Sequence, residues 1–464
     1  MNVENIEKEP LVPKENQLMI SSSPHVHNGN SVPRIMGLVI LALAPAIGAG
    51  VYFWGMSALT VLLYCVIFCV AMEASCLSWR FAKTLLAPFV IYGTLCVLTK
   101  AIFFIGRFIN MGYVSATSKE PIAFIDSLSE MSQNLFTKLF SIPEVVVIIF
   151  SLVMIALALT LEIIKDKKDR LANKECSGAL IAIKDGSAIL TGLLLAMNLA
   201  AGTPWWICLV GAFLAIVIGK QVFGGIGNNP FNPALVARVG LFIGFASYLS
   251  TWRPTTLMLK TSDSIYNKLF FNNDTVYNSA KTVMDFTTAT PLAVAKELAD
   301  KGADFSPLTT KTAYLNYFLG NMGGCIGETS ALALLIGAVI LIWFKLIKWE
   351  VPVYFVGTVA VVVTLANLFG NKPVTPNALF HILTGGLLLG AIFMATDMVT
   401  SPSTKLGCIV FAIGCGLLTS VIRIWGGYPE GVSFSILIMN ALVPMINNFT
   451  AKKPFGYVNV KAEA

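Results

Sequence analysis

A polar turn in the middle of the chain has residue types that suit contact with a cofactor or an anion. It reads Gly224-Gly-Ile-Gly-Asn-Asn-Pro-Phe-Asn-Pro233 and follows Lys220 closely. Glycine permits positive φ, proline fixes φ, and asparagine side chains offer amide donors and acceptors. A tight connection between two helices would use the same residues, but the flanking Lys220 and Arg238 favour a binding role. The candidate binding residues are Gly224, Gly225, Asn229 and Asn232.

A second set of residues has the chemistry to move ions. The ionisable residues within or at the edge of apolar segments are Glu73, Glu162, Arg238, Glu328, Asp397 and Arg423. A charge at the bilayer centre costs about 2.5–3.5 kcal/mol on insertion scales, so such groups face the protein interior or an aqueous path. Hydroxyl-bearing neighbours around Asp397 suit a hard cation, although a capping role at the headgroup boundary explains Asp397 equally well. The candidates for an ion path are Glu73, Glu328 and Asp397.

A threonine-rich segment, Asp285-Phe-Thr-Thr-Ala-Thr290-Pro-Leu292, precedes an amphipathic stretch. Threonine directly before proline is typical of a helix N-cap with proline in the first turn. From the residues alone, a helix cap is the preferred interpretation of Thr290. The sequence contains no Ser-His-Asp arrangement, Walker loop or dinucleotide-binding glycine pattern after a predicted strand, so the familiar soluble-enzyme chemistries find no support.

The cysteines and histidines do not form a pattern of metal ligands. The chain has nine cysteines and three histidines, and no two cysteines have C-x-x-C spacing. Iron–sulfur and zinc sites in proteins usually use such paired spacings. We therefore expect no metal site built by this chain alone.

The composition is that of an integral membrane protein. Of 464 residues, 56% are hydrophobic and 12% are charged, and the mean hydropathy is +0.75. A soluble domain carries about 25% charged residues. The net charge of +7 arises from cations in loops beside apolar segments, which is the pattern of membrane topology and not that of a nucleic-acid surface. The N-terminal residues 1–34 are polar and contain no apolar core of a signal peptide.

The sequence predicts an all-α bundle of about ten to twelve membrane-crossing segments with broken or re-entrant helices. The predicted segments are 35–55, 58–78, 84–105, 143–164, 186–201, 205–219, 234–250, 328–346, 350–370, 376–396, 406–424 and 432–447. Several are shorter than the roughly 20 residues of a full crossing. Broken helices at membrane depth occur only where protein or a lined cavity satisfies the backbone, and they often mark binding sites in transporters.

Basic loops predict the orientation of the chain. Residues 165–184 contain six lysine and arginine side chains, so this loop is expected in the cytoplasm. Alternating the segments from there places both termini in the cytoplasm and the long segment 251–311 outside. The bacterial inner membrane is the expected location.

An internal repeat is visible at an offset of roughly 200 residues. The segment 190–196 resembles 383–389, and Lys220 before Gly224-Gly225 resembles Arg423 before Gly426-Gly427. Membrane carriers often consist of two symmetry-related halves with the functional site at their interface. The sequence therefore predicts a two-fold repeat.

Taken together, several motifs resemble the D subunits of Rnf ion-translocating oxidoreductase complexes. This family is homologous to the B subunit of the sodium-translocating NADH:quinone oxidoreductase. The motifs are Ser22-Ser-Pro-His25, Asp185-Gly-Ser-Ala-Ile-Leu-Thr-Gly-Leu-Leu-Leu-Ala196, the turn 224–234, Gly320-Asn-Met-Gly-Gly-Cys-Ile-Gly-Glu-Thr-Ser330, Phe393-Met-Ala-Thr-Asp397 and Gly426-Gly-Tyr-Pro-Glu-Gly431. They cover nearly all of 20–84 and 145–457, whereas about 85–145 forms an extra segment beyond the shorter members of the family.

The resemblance implies that Thr290 carries covalent FMN through a phosphoester bond made by a flavin transferase. Thr287-Thr-Ala-Thr290 departs from the family motif, because Thr288 stands where glycine is common and Asp285 lies one residue nearer the acceptor. The turn 224–234 is then expected to line the flavin path. A second, non-covalent flavin (riboflavin) is implied for some relatives.

These expectations give a domain plan and a function. The plan is a tail 1–34, a first membrane half 35–250 with an extra part at about 85–145, a flavin-bearing loop 251–311, a second half 312–450 and a tail 451–464. The implied function is that of a membrane subunit of a redox-driven Na⁺ or H⁺ pump, with other Rnf-type membrane and peripheral subunits and membrane lipids as partners. The alternatives are a B-type subunit of the quinone reductase, a flavin-free secondary transporter and a passive scaffold.

Overall fold

A computed structural model describes residues 31–77, 185–250, 252, 290–369, 375–428 and 430–451. Every regular element in these ranges is helical. The predicted crossings 84–105 and 143–164, the extra part 85–145, the basic loop 165–184, and most of the two tails and of the segment 251–289 lie outside the described residues.

The described helices follow the predicted segments closely. Numbered in chain order, they are α1 (Val32–Trp54), α2 (Met56–Leu77), α3 (Ser187–Met197), α4 (Trp205–Ala212), α5 (Pro233–Gly244), α6 (Ala246–Leu249), α7 (Pro291–Asp300), α8 (Lys311–Leu319), α9 (Ala331–Trp343), α10 (Glu350–Phe369), α11 (Ala378–Leu383), α12 (Leu387–Leu389), α13 (Lys405–Ile424) and α14 (Val432–Thr450). A π-helical stretch, Phe213–Ile218, continues α4, and another, Gly390–Met394, continues α12.

The prediction of a polytopic all-α membrane bundle is confirmed. Among the described residues, six helices are long and apolar enough to cross a membrane: Val32–Trp54, Met56–Leu77, Trp205–Phe223, Glu350–Phe369, Lys405–Ile424 and Val432–Thr450. Three more apolar helices, α3, α5 and α9, are shorter. Pro45 lies inside α1 and Pro444 inside α14, which is tolerated in membrane helices because neighbouring groups satisfy the freed backbone.

Glycines allow the core helices to approach closely. A Cβ added to Gly192 of α3 would lie 2.8 Å from the carbonyl oxygen of Cys65 in α2. A Cβ added to Gly337 of α9 would lie 2.4 Å from the carbonyl oxygen of Ala42 in α1. Since apolar burial gives little drive for helices to associate in lipid, close packing at small residues is what holds such helices together. The α2–α3 and α1–α9 contacts therefore fix the arrangement on which the sites depend.

Helix breaks differ in detail from the predicted crossings. The predicted segment 376–396 is interrupted at Thr384–Gly386, so that α11 and α12 are separate. The predicted segment 234–250 ends as a continuous helix at Gly244, because Phe245 leaves helical geometry with φ −135° and ψ 44°. The predicted segment 328–346 begins only at Ala331, where the Ser330 side chain accepts a hydrogen bond from the Ala333 amide.

The short helices meet at the interface between the two halves of the chain. The Ile326 amide donates to the Leu199 carbonyl at 3.0 Å, which joins the turn before α9 to the end of α3. The Asn232 side chain donates to the Met394 carbonyl at 3.2 Å, and the Asn198 side-chain amide lies 3.8 Å from the Met394 sulfur. These contacts agree with the predicted two-fold repeat, which stays a prediction.

Candidate functional site

Thr290 is the N-cap of α7, as its sequence context predicted. Its φ of −68° and ψ of 151° are extended, and its Oγ1 accepts a hydrogen bond from the Ala293 amide at 3.2 Å. Pro291 occupies the first helical position. The hydroxyl thus lies at the amino end of a ten-residue helix, where the free N–H groups and the helix dipole favour a negative group. The residue itself is only 4% exposed.

The helix that carries Thr290 packs against turns of the second half. A Cβ added to Gly385 would lie 2.5 Å from Leu292 Cδ1, and Gly385 has φ of +70°. The Lys296 ammonium donates to the Gly426 carbonyl. These two contacts hold α7 on the turn that follows α13 and on the break between α11 and α12.

The glycine–asparagine turn 224–233 combines left-handed glycines with hydrogen bonds from asparagine side chains. Gly224 and Gly225 have φ of 104° and 89°, which side chains other than glycine rarely adopt. The Asn229 side chain donates to the Phe231 carbonyl at 3.0 Å. Asn232 caps α5 by accepting from the Ala234 amide at 3.1 Å, while its NH₂ group reaches the Met394 carbonyl. One side chain therefore both starts α5 and ties it to the second half.

A cavity of about 140 Å³ lies beside this turn. Most of its wall is apolar and comes from α1, α3, α9 and the chain around Phe393. The polar groups on the wall are those of Ser187, Thr191, Lys220, Asn229, Asn232, Thr396 and Asp397. An apolar cleft with a few convergent polar groups is the usual form of a small-ligand site. The structure thus brings Asn229, Asn232 and Asp397 together, and Gly224 and Gly225 shape the turn without lining the cavity.

Lys220 on the cavity wall is held by a buried ion pair. Its Nζ lies 2.5 Å from Glu73 Oε1 in α2 and donates to Ser187 Oγ at 2.8 Å. Glu73 and Lys220 are both about 3% exposed. Glu73 Oε2 has no hydrogen-bond partner among the described residues. Of the predicted ion-path residues, Glu73 is therefore linked to the cavity through Lys220.

Asp397 makes local contacts in the turn before α13 and does not cap that helix. Its Oδ2 accepts from Thr400 Oγ1 at 3.2 Å and its Oδ1 from the Val399 amide at 3.5 Å. The next helix, α13, is capped by Thr404 instead. The Thr396 hydroxyl donates to its own helix at Ile392. Asp397 lines the cavity, and its role in an ion path stays a prediction.

Glu328 lies apart from the cavity, in a charged cluster near α7. One carboxylate oxygen of Glu328, one of Glu430 and the Cys325 sulfur all lie within 4.8 Å of one another. Arg238 Nη2 is 2.9 Å from Glu430 Oε2 and 3.3 Å from Cys325 Sγ. This cluster joins α5 of the first half to two turns of the second half.

Arg423 completes the charged cluster on the side of α7. Its Nη1 donates to the His381 carbonyl at 2.7 Å and its Nη2 to the Thr384 carbonyl at 3.3 Å. These carbonyls lie at the end of α11, where the helix break leaves them without helical partners. Arg423 therefore stabilises the break between α11 and α12, which lies in the same half of the chain as Arg423. In the first half, Lys220 contacts Ser187 at the start of α3.

Sequence reasoning did not identify Glu430 or Cys325 as site residues. Glu430 lies in the Gly426–Gly431 turn, at the position in the second half that corresponds to the binding turn of the first. The signal that could have identified Glu430 is its position as an acidic residue in a glycine-rich turn soon after Arg423. Cys325 had none, because a lone cysteine beside glycines is common in membrane interiors.

Comparison with known proteins places the chain in a family of membrane subunits. The profile of the NQR2, RnfD, RnfE family matches residues 19–102 and 87–456, which is most of the chain. The resemblance inferred from the motifs is thereby confirmed.

Individual relatives share 42% identity with this chain. One is the D subunit of the Na(+)-translocating ferredoxin:NAD(+) oxidoreductase complex of Acetobacterium woodii, aligned over 61% of this chain and 77% of the relative. Another is the D subunit of the proton-translocating ferredoxin:NAD(+) oxidoreductase complex of Clostridium ljungdahlii, aligned over 60% and 76%. A third is the D subunit of the ion-translocating oxidoreductase complex of Stutzerimonas stutzeri, over 59% and 76%. The two ferredoxin-linked relatives have equal identity and different ions, so identity does not choose between Na⁺ and H⁺.

Proposed function

The chain belongs to the NQR2, RnfD, RnfE family, and on that premise we propose that it is the membrane subunit of a redox-driven ion pump with FMN bound covalently to Thr290. Its relatives are subunits of ion-translocating ferredoxin:NAD(+) oxidoreductase complexes. When bound, the flavin would accept and pass on electrons between partner subunits linked to ferredoxin or NADH. The chain itself supplies the attachment site, the packing around it and the ion path.

The observation that carries this proposal is the position of the Thr290 hydroxyl at the amino end of α7. A phosphoester on Oγ1 keeps an oxygen that can accept the Ala293 N–H. The remaining phosphate oxygens would meet the positive end of a ten-residue helix, which is a recurrent phosphate-binding arrangement. The free N–H groups at the amino end of α7 therefore suit the negative charge of the phosphate.

Burial of Thr290 constrains when the flavin can be attached. With 4% exposure and with Leu292 against Gly385, the hydroxyl is out of reach of an external enzyme while α7 is docked. A flavin transferase must then act before α7 packs against Gly385 and Gly426, or while it is displaced. This order of events suits attachment during assembly of the complex.

The cavity beside the turn 224–233 is the proposed place of a second, non-covalent flavin (riboflavin). Asn229 and Asn232 offer donors and acceptors on its wall, Lys220 offers a positive charge, and apolar side chains line the rest. Gly224 and Gly225 give the turn its geometry. Such a combination suits one polar edge of a flat ring, because a cavity of about 140 Å³ is smaller than the pockets that enclose whole ligands of this size.

The proposed setting is the bacterial inner membrane, with both termini in the cytoplasm and Thr290 on the opposite side. The contact of Lys296 with Gly426 puts α7 and the turn after α13 on the same side of the bundle. That side would face an extracytoplasmic flavin subunit. Exposed apolar helix faces would contact lipids and other membrane subunits.

Replacing Asp397 with alanine is expected to lower ion transport by about tenfold or more, because a carboxylate attracts a nearby cation by several kcal/mol at an effective dielectric constant of about 20. The measurement is ion uptake into proteoliposomes that contain the assembled complex, with flavin content checked in parallel. The same test applies to Glu73 and Glu328. Asp300→Ala, an exposed acid at the end of α7, is the control. Unchanged transport in the Asp397 variant would remove that residue from the path.

The intact mass of the chain tests the proposed function as a whole. Chain purified after co-expression with a flavin transferase is expected to exceed its sequence mass by one FMN less water. Chain expressed without the transferase should have the sequence mass. An unmodified mass in both preparations would contradict the redox role and favour the flavin-free secondary transporter.

A further inference from the structure

A buried carboxylate without an ionic partner lies at the centre of the charged cluster. Glu328 is 7% exposed, and no described basic side chain comes within 4.0 Å of its carboxylate. Its two oxygens lie against glycines, since a Cβ on Gly324 or Gly386 would come within 3.0 Å and 3.2 Å of them. A buried carboxylate without an ionic partner is expensive to ionise and gains from binding a proton or a cation.

Two unpaired donors near Glu328 would be satisfied by internal water. Arg238 Nη1 and Arg423 Nε are buried without a hydrogen-bond partner among the described residues, and both side chains are more than nine-tenths buried. Buried polar groups of this kind are usually satisfied by internal water. Water between two guanidinium groups and two carboxylates gives a route for a proton.

Glu430 connects this buried place to the exterior of the bundle. Its side chain is 19% exposed, whereas that of its partner Arg238 is 4% exposed. A carboxylate oxygen of Glu430 lies within 4.8 Å of one of Glu328. Glu430 and Glu328 therefore lie one behind the other between the surface of the bundle and its interior, on the side where α7 docks.

We propose that Glu328 holds an exchangeable proton and that Glu430 passes this proton between Glu328 and water. In the inward direction, the Glu430 carboxylate takes a proton from hydronium and gives it to the Glu328 carboxylate, which becomes neutral while Glu430 becomes ionised again. No electron moves and no other bond changes. The proposal rests on the proposed function only in assigning ion movement to this chain.

The neighbouring groups favour a proton over a metal cation. The guanidinium groups of Arg238 and Arg423 repel a metal cation. Arg238 also forms an ion pair with the Glu430 carboxylate, so this carboxylate is less available as a metal ligand. The third potential ligand, the Cys325 sulfur, is a soft donor and suits Na⁺ poorly. Other charged or titratable groups on the described elements around the cluster are Lys296, Glu297, Asp300 and Lys301 at α7, His381 on α11 and Tyr428 in the turn of Glu430; Glu297 and Lys301 pair with each other at the surface. A proton needs no coordination shell, and the burial of Glu328 together with the negative charge of Glu430 favours it against the opposing effect of these cations.

Infrared difference spectroscopy of the purified complex during a pH titration tests this proposal. A carbonyl band of a protonated carboxylic acid is expected to appear as the pH falls, to shift in heavy water and to be lost in Glu328→Gln. The negative charge of Glu430 stabilises the proton on Glu328. In Glu430→Gln, the proton concentration at which the band reaches half of its full intensity should therefore rise at least about tenfold. Glu297→Gln, an exposed acid on α7, is the control and should leave the band unchanged.

Every outcome of this titration either supports or contradicts a proton on Glu328. The absence of a titrating band from the wild-type complex, or its persistence in Glu328→Gln, would overturn the proposal. A band that saturating Na⁺ removes at constant pH, when choline does not, would show a Na⁺ site instead. Glu430→Asp retains the carboxylate beside Arg238 and should leave the band close to that of the wild-type complex, so a shift as large as that of Glu430→Gln would contradict the role of this charge. The flavin is measured separately by in-gel fluorescence, so loss of the band with flavin present contradicts this inference alone.

Discussion

Thr290→Val is expected to remove covalent flavin from the chain altogether. Valine has nearly the shape of threonine but no hydroxyl, so the phosphoester cannot form, while α7 still has Pro291 to begin the helix. In-gel ultraviolet fluorescence of the denatured chain, after co-expression with the flavin transferase, should fall to background. Loss of the N-cap also costs about 1 kcal/mol of stability.

The chain contains a matched control for this variant. Thr310 caps α8 in the same geometry, with Oγ1 3.2 Å from the Ala313 amide. Thr310→Val therefore removes an equivalent cap and should leave the fluorescence unchanged. Thr288→Val should do so too, since Thr288 is the nearby hydroxyl that could compete. Fluorescence that survives in Thr290→Val and disappears in Thr288→Val would show that the attachment site is Thr288.

Breaking the Glu73–Lys220 pair is expected to destabilise the first half of the bundle strongly. Both side chains are about 3% exposed, and removing one partner leaves an uncompensated buried charge, which costs about 3–5 kcal/mol. Glu73→Ala and Lys220→Ala should each lower the Tm of the detergent-solubilised chain and its yield from membranes. The double variant should lower the Tm clearly less than the two single variants added together, because no charge is then left unpaired.

An exposed pair on α7 provides the comparison. Lys301 and Glu297 are also 2.5 Å apart, but their side chains are 66% and 59% exposed. Pairs of this kind on a helix surface contribute less than about 0.5 kcal/mol. Glu297→Ala should hardly change the Tm. Equal effects of Glu73→Ala and Glu297→Ala would mean that water screens the Glu73–Lys220 pair.

Particular residues show how far the sequence predicted the site. Thr290 was correctly placed as an N-cap before a proline, because capping depends on local chemistry that a short segment contains. For Asp397 the sequence left a helix cap and an ion path as alternatives; the structure shows Thr404 as the cap of α13 and Asp397 on the cavity wall. The partner of Lys220 could not be foreseen, since Glu73 lies 147 positions away and no local rule joins them.

By itself, the sequence determined the membrane class and the approximate positions of most described helices, but not the break at Thr384–Gly386. These follow from hydropathy, glycine and proline, all of which act over a few residues. Only the tertiary structure decided which charges meet. Glu73 joins Lys220, whereas Arg238 joins Glu430, which lies with Cys325 beside Glu328. The physical reason is that a buried charge is stabilised by whatever the packed helices bring within a few ångströms, and helix packing depends on contacts between distant parts of the chain.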